Sequence, residues 1–274
     1  MADPVRTVGR TAWRGNLPAE GERVIPEETA VAFTYGGTSY AVMMATQQDL
    51  DDFAVGFSLT EGIIQSPAEI ESMEAVEGHI GIELRMRLTE PYGGAFAERR
   101  RYLAGPTGCG LCGIESLGEA VRPPARIADR ANFSPLDVMQ ALQLLEGRQE
   151  IHRQTRAVHG AAFYRPGQGL IALREDVGRH NALDKLAGAL VRGNVPVGGG
   201  LAVVTSRLSV EMIQKAAAIG IPVLVAVSAP TALAVRMAET AGMTLIAVAR
   251  SDGFEIFTNP QRIRGDRSPH VLAG

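Results

Sequence analysis

The sequence predicts an α/β protein, a mixed sheet sandwiched by helices, with a smaller N-terminal β-rich portion in front of it. Three observations predict this. Residues 201–205 and 223–227 are apolar runs without a charge, which suits strands buried on both faces. Segments of helical period at 181–191, 210–219 and 231–241 alternate with them, the pattern of strands joined by helical crossovers. Upstream, residues 29–44 alternate with period two around Tyr35-Gly36-Gly37, the pattern of a hairpin. With 274 residues, 46% of them hydrophobic, the chain is long enough to bury a core.

Taken in order, residues 1–20 are polar and without period, so they are expected to form a flexible leader. A smaller α+β portion is expected over 21–130 and the α/β domain over 131–274. After the hairpin, residues 49–62 set Leu50, Phe53, Ala54, Phe57 and Ile63 near helical spacing, and residues 80–88 alternate as a half-buried strand that Pro91 closes. The run Arg99-Arg100-Arg101 reads as a solvated face. Ser134-Pro135 opens a helix, with Ser as cap and Pro in the first turn, whose apolar face is read as Leu136, Met139, Leu142 and Leu145. Two strands flank Pro166-Gly167-Gln168-Gly169, and strands at 244–249 and 254–258 close the series around Asp252-Gly253.

Composition excludes several classes. Lys and Arg number 27 against 30 Asp and Glu, so no basic field points to nucleic acid or an anionic membrane. The first residues lack an apolar stretch after a basic start, and a cytoplasmic location is expected. Residues 216–235 are free of charge, but Gly220, Pro222 and Pro230 divide them into helix end, strand and helix start, so no membrane span is expected.

The two cysteines lie three apart in Thr107-Gly108-Cys109-Gly110-Leu111-Cys112-Gly113. Three glycines around two thiols leave the sulfur accessible, and a thiol becomes a nucleophile when positive charge or amide donors favour the thiolate. A structural zinc site needs four ligands, and no second half is found: the histidines at 79, 152, 159, 180 and 270 form no closely spaced pair. A dithiol redox pair remains an open reading of the same spacing. The segment Arg174-Glu175-Asp176-Val177-Gly178-Arg179-His180-Asn181-Ala182-Leu183-Asp184-Lys185 sits where loop becomes helix, and unpaired backbone N–H groups there suit an anion. Gly178 would allow close backbone approach, Arg179 would fork onto a phosphate and His180 would donate or exchange a proton. A capped helix with Asp184 and Lys185 pairing locally is the plainer alternative. Ser206, Arg207 and Ser209 follow an apolar strand, where ligands of open α/β sheets gather. Ser228-Ala229-Pro230-Thr231 and Arg250-Ser251-Asp252-Gly253 hold equivalent places, so three strand ends point to one rim.

These residues resemble the FdhD family, the formate dehydrogenase accessory sulfurtransferases. The resemblance rests on Gly-Cys-Gly-Leu-Cys-Gly at 108–113, the segment 175–185, Ser-Ala-Pro-Thr at 228–231 and Glu61-Gly62-Ile63-Ile64, and it runs in family order from about residue 30 to residue 258. It implies a cytidine-deaminase-like fold, usually dimeric and without the deaminase zinc. It also implies a sulfurtransferase that takes persulfide sulfur from a cysteine desulfurase. The acceptor it implies is the bis-molybdopterin guanine dinucleotide cofactor of formate dehydrogenase or a related molybdoenzyme. On the family pattern Cys109 carries the persulfide and Cys112 assists, while Val248, Ala249, Arg250, Ser251, Asp252 and Gly253 fall where the family binds the cofactor. A non-catalytic chaperone of the molybdenum cofactor is the alternative. Two departures stand out: Thr155-Arg156-Ala157-Val158-His159 lacks the family's paired glycines, and Thr205-Ser206-Arg207-Leu208-Ser209 has Ser206 in place of its glycine.

Overall fold

The period-two stretch around Phe33 becomes a strand because Val31, Phe33 and Tyr35 all reach one buried face. In a computed structural model, which describes residues 3–90, 123–128 and 131–265, the chain opens with β1 (Val5–Arg14) and β2 (Leu17–Pro26). It continues with β3 (Thr29–Tyr35), β4 (Thr38–Ala45), α1 (Leu50–Thr60), β5 (Ile70–Gly78) and β6 (Gly81–Leu88). β3 to β6 form a four-stranded sheet ordered β4-β3-β6-β5, with β3 and β6 parallel. Phe33, Phe53 and Phe57 pack it onto α1, with the Phe33 and Phe57 rings stacked at 4.0 Å.

The first residues depart from expectation. β1 and β2 form a two-stranded antiparallel ribbon from Val5 to Pro26, where a flexible leader is expected over 1–20. Arg14 pairs with Leu17, so Gly15-Asn16 is a two-residue hairpin turn with Gly15 at φ 62°. Polar side chains stand on both faces and apolar ones are scattered over both, so hydropathy gives no alternation to read. β5 is hidden for another reason. Ile70 and Met73 are three apart, a helical interval, yet both pack on the core because a register shift between Ile70 and Ser72 inverts the alternation.

The second sheet follows α2 (Pro135–Arg148) and α3 (Glu150–Thr155). Its members are β7 (His159–Arg165), β8 (Gly169–Asp176), β9 (Leu201–Val204), β10 (Val223–Ala226), β11 (Thr244–Arg250) and β12 (Gly253–Thr258). Between them run α4 (Arg179–Arg192), α5 (Val210–Ala218) and α6 (Ala232–Ala241). The order is β12-β11-β10-β9-β7-β8, with β9, β10 and β11 parallel. Alternate residues serve two cores. Ala202, Val204, Leu224 and Leu245 face Leu183, Leu186, Met212 and Ala238 of the three crossover helices, whereas Leu201, Val203, Val225 and Ile246 face Val138, Leu142 and Leu145 of α2. The α/β sandwich is therefore present. The α2 face is corrected to Val138, Ala141, Leu142 and Leu145, leaving Leu136 71% exposed and Met139 half-buried. That set keeps the spacing i, i+3, i+4, i+7, which one helical stripe on the sheet requires.

The two sheets lie on either side of residue 130 in sequence, yet α1 packs directly on α4. A Cβ on Gly56 would lie 1.7 Å from the Asp184 carbonyl oxygen, and one on Gly188 would lie 1.9 Å from that of Asp52. Only glycine lets these backbones touch.

Candidate functional site

β8, β9, β10 and β11 end on one edge of the sheet. β9 to β11 are parallel, and β8 shares their direction because β7 runs antiparallel to both β8 and β9. Short backbone bonds tie the ends together: Val227 N–H donates to Val204, Leu208 N–H to Ala229, Thr231 N–H to Leu208 and Val248 N–H to Ser228. The three strand ends expected to share a rim therefore do so, and β8 adds the segment 175–185 as a fourth.

Most of that segment is closed. Glu175 accepts from the N–H groups of Ile151 and His152, capping α3. Asp176 accepts from Thr46 N–H, Gly178 N–H and the Asn181 amide, and it pairs with Lys185 at 2.6 Å where both side chains are fully buried. Asp184 pairs with Lys215 at 3.0 Å and accepts from the Thr60 hydroxyl at 2.5 Å, while Lys215 also reaches Glu61 at 2.7 Å. Burial opposes charge on Lys215, but Asp184 and Glu61 outweigh it and hold the ammonium above the usual lysine range. Burial pushes the Asp184 carboxyl up to about 6 against the pull of Lys215. Asp184 thus pairs with the distant Lys215, whereas Lys185 pairs with Asp176 inside the same segment. Gly178 is also corrected. Its N–H is taken by Asp176, and a Cβ there would lie 2.7 Å from the Asn181 amide nitrogen, so packing demands glycine.

What remains open, among the described residues, is a small set of buried atoms without partners: Gln149 Nε2, Arg179 Nε, His180 Nε2, Ser209 Oγ and Glu211 Oε2. Arg179 and His180 occupy the first turn of α4, and Ser209 and Glu211 the start of α5, two helix N-termini on the same edge. Burial, then the charges of Arg179 and Lys215, depress His180 to about 4, so its ring is neutral at pH 7. An unpaired buried donor or acceptor costs free energy until a ligand or water meets it. Sequence reading missed Glu211, Lys215 and His159. Burial and then Arg179 likewise depress His159, which stands at the start of β7 on this edge. The available signal was the i, i+4 interval from Glu211 to Lys215 at a helix start.

The other expected residues divide. Ser206 is buried, with its hydroxyl donating to the Arg207 carbonyl, and Arg207 is exposed. Val248 holds φ 52°, a strained conformation for a β-branched residue, at the register shift of β11. That shift turns Ala249 into the core, 1% exposed, so its side chain offers a ligand nothing. Arg250, Ser251 and Asp252 are exposed on the turn into β12, and Gly253 is half-buried. The Arg179 and Arg250 ends stand four strands apart, roughly 19 Å at about 4.8 Å per strand. Cys109 and Cys112 lie outside the described residues.

Together these features define an α/β protein whose main sheet presents one edge of ligand-ready polar atoms between helix N-termini. The family model of the FdhD/NarQ family matches residues 26–264, and the chain belongs to that family. It is 55% identical to the sulfur carrier protein FdhD of Agrobacterium fabrum over 94% of this chain and 96% of the relative. It is 48% identical to that of Brucella abortus over the same shares. A solved structure described as a formate dehydrogenase accessory protein from Desulfotalea psychrophila superposes with a TM-score of 0.77 at 24% identity, covering 96% of this chain and all of that one, which establishes the shared fold. Among the described residues no helix is long and apolar enough to cross a membrane.

Proposed function

We propose that this protein is a sulfur carrier that moves persulfide sulfur from a cysteine desulfurase to the bis-molybdopterin guanine dinucleotide cofactor, for a formate dehydrogenase or related molybdoenzyme. Family membership and the names of its relatives support the sulfur role. The observation that carries the acceptor side is the pair of buried, unpartnered donors, Arg179 Nε and His180 Nε2, at a helix N-terminus on the edge that also carries Arg250 to Gly253. Donors at helix starts suit phosphate, and an edge of about 19 Å suits an elongated nucleotide-bearing substrate over a compact anion. Glu211 Oε2 and Ser209 Oγ would meet the donors of such a substrate, and Arg250 would add positive charge at the far end.

On this reading the Cys109 thiolate attacks the terminal sulfur of the desulfurase persulfide. A new S–S bond forms at Cys109, and the desulfurase cysteine leaves as thiolate. In delivery that bond breaks with its electron pair left on Cys109, so the two electrons that convert sulfane sulfur to sulfide come from the acceptor. Cys112 assists, and two copies of the chain act together in the cytoplasm. Incubation with a desulfurase and radiolabelled cysteine is expected to place label on Cys109, released by dithiothreitol and absent from Cys109→Ala. An unlabelled wild type, or label kept by Cys109→Ala, refutes the relay. A Cys109→Ala protein that still activates the client enzyme would instead assign a non-catalytic cofactor chaperone.

A further inference from the structure

The N-terminal ribbon holds none of the residues assigned above to the relay or to the sheet edge. Among the described residues β1 and β2 pair only with each other, and an isolated two-stranded ribbon is marginal in water without something to pack on. At its base Arg23 donates to the Thr155 carbonyl and Glu27 N–H to that of Pro4. Its free end exposes Trp13 and Leu17, at 68% and 75%.

The register sorts charge by face, because side chains alternate along a strand and directly paired residues share a face. Arg6, Arg10 and Arg14 lie on one face together with Arg23, the partner of Val8. Glu20 and Glu22 lie on the other with Trp13, and the Thr11 hydroxyl donates to Glu20 at 2.7 Å. Arg6 has Glu27 at 3.2 Å, but Arg10 and Arg14 have no acidic partner among the described residues.

Beside the base of the same ribbon opens a cleft of about 450 Å³ with Asp3, Asp49, Glu150 and Glu175 in its walls against Arg148. Glu150 is exposed and forms no ion pair among the described residues. Asp49 has Arg174 at 3.5 Å and Glu175 caps α3, which leaves Glu150 as the carboxylate of the cleft in need of a cation. The tip is short of negative charge, and the two needs lie at opposite ends of a strand of 10 residues. That length, about 33 Å, keeps the tip from its own cleft. A two-fold axis between antiparallel ribbons sets each tip over the other's base, the reciprocal geometry of a closed dimer.

We propose that the ribbon is an exchange arm: Arg10 and Arg14 of one copy dock on the acidic cleft of a second copy, and the contact is returned. The inference rests on the two-copy assembly proposed above and gives it a surface. Sedimentation of the full chain tests it. Arg10→Glu with Arg14→Glu, and separately Glu150→Arg, are expected to weaken self-association about tenfold or more, more visibly at low salt, with the circular dichroism unchanged. Combining the three substitutions is expected to restore association. A wild type that sediments only as a monomer overturns the assembly and the arm together. A dimer indifferent to every one of these changes, or capture of an RNA oligonucleotide lost in Arg10→Glu with Arg14→Glu while the dimer persists, overturns the arm alone. Neither result touches labelling of Cys109, so this inference and the sulfur relay fail separately.

Discussion

Two groups of buried charged residues leave the segment 175–185 in opposite states. Toward α1, the seam of Asp176, Asp184, Lys185 and Lys215 is closed, each charge meeting an opposite charge or a donor at 2.5 to 3.0 Å. Toward the sheet edge, Arg179 and His180 from the same segment, with Ser209 and Glu211, keep buried atoms without partners. The composition is alike and the outcome is not. The seam is sealed because two backbones meet at Gly56 and Gly188, which brings β4 and α1 within reach of every charge on the inner side of α4. The edge lies where the strands stop, and the described residues there supply these atoms no partner. Closed charges fix the frame, and open ones are left for a ligand.

This contrast can be broken in graded steps. The largest effect is expected for Asp176→Ala, which strands the fully buried Lys185 and three further donors. Unfolding in urea should show a loss of about 3–5 kcal/mol. Gly188→Ala should cost about 3 kcal/mol by the same measurement, because the new methyl meets the Asp52 carbonyl and the helices must part. The next test uses pH. His180 is depressed to about 4 from the ordinary 6.5, so between these values the unfolded chain binds more protons than the folded one. Stability is therefore complete above pH 6.5 and falls as the pH drops toward 4, by roughly 3 kcal/mol from this group. His180→Asn should flatten that part of the profile.

Smaller changes sharpen the other side. Arg179→Ala should alter stability by less than about 0.5 kcal/mol yet weaken binding of guanosine diphosphate about tenfold by calorimetry. A stability loss as large as that of Asp176→Ala would move Arg179 from the edge into the seam. The smallest effect concerns one of the replaced family glycines. Arg156 is exposed with φ 59°, so Arg156→Gly should raise stability by about 0.5–1 kcal/mol in thermal unfolding. Ser206, at the other replaced glycine, does not take positive φ and should gain nothing from the same change.

Much of this was legible in the chain. The apolar strands 201–205 and 223–227, the crossover helices and the Ser134 cap were readable because burial on both faces, helical period and capping chemistry are local signals. The ribbon and β5 were not, since one has polar residues on both faces and the other an alternation inverted by its register shift. Within 175–185 the sequence marks a loop-to-helix transition dense in charge, but it does not divide the residues, and the space Gly178 is expected to leave for a ligand is taken by Asn181.

By itself, then, the sequence determined the α/β class, the edge on which strand ends and helix starts meet, and the family. These follow from periodicity, turn residues and motif order along one dimension. Tertiary structure alone decided which charges are spent. Lys215 finds Asp184 and Thr60, and Lys185 finds Thr46, only after α1 has packed on α4. A charge at position i carries no record of a partner 31 to 155 residues away, so its role is settled by what the fold brings within about 3 Å of it.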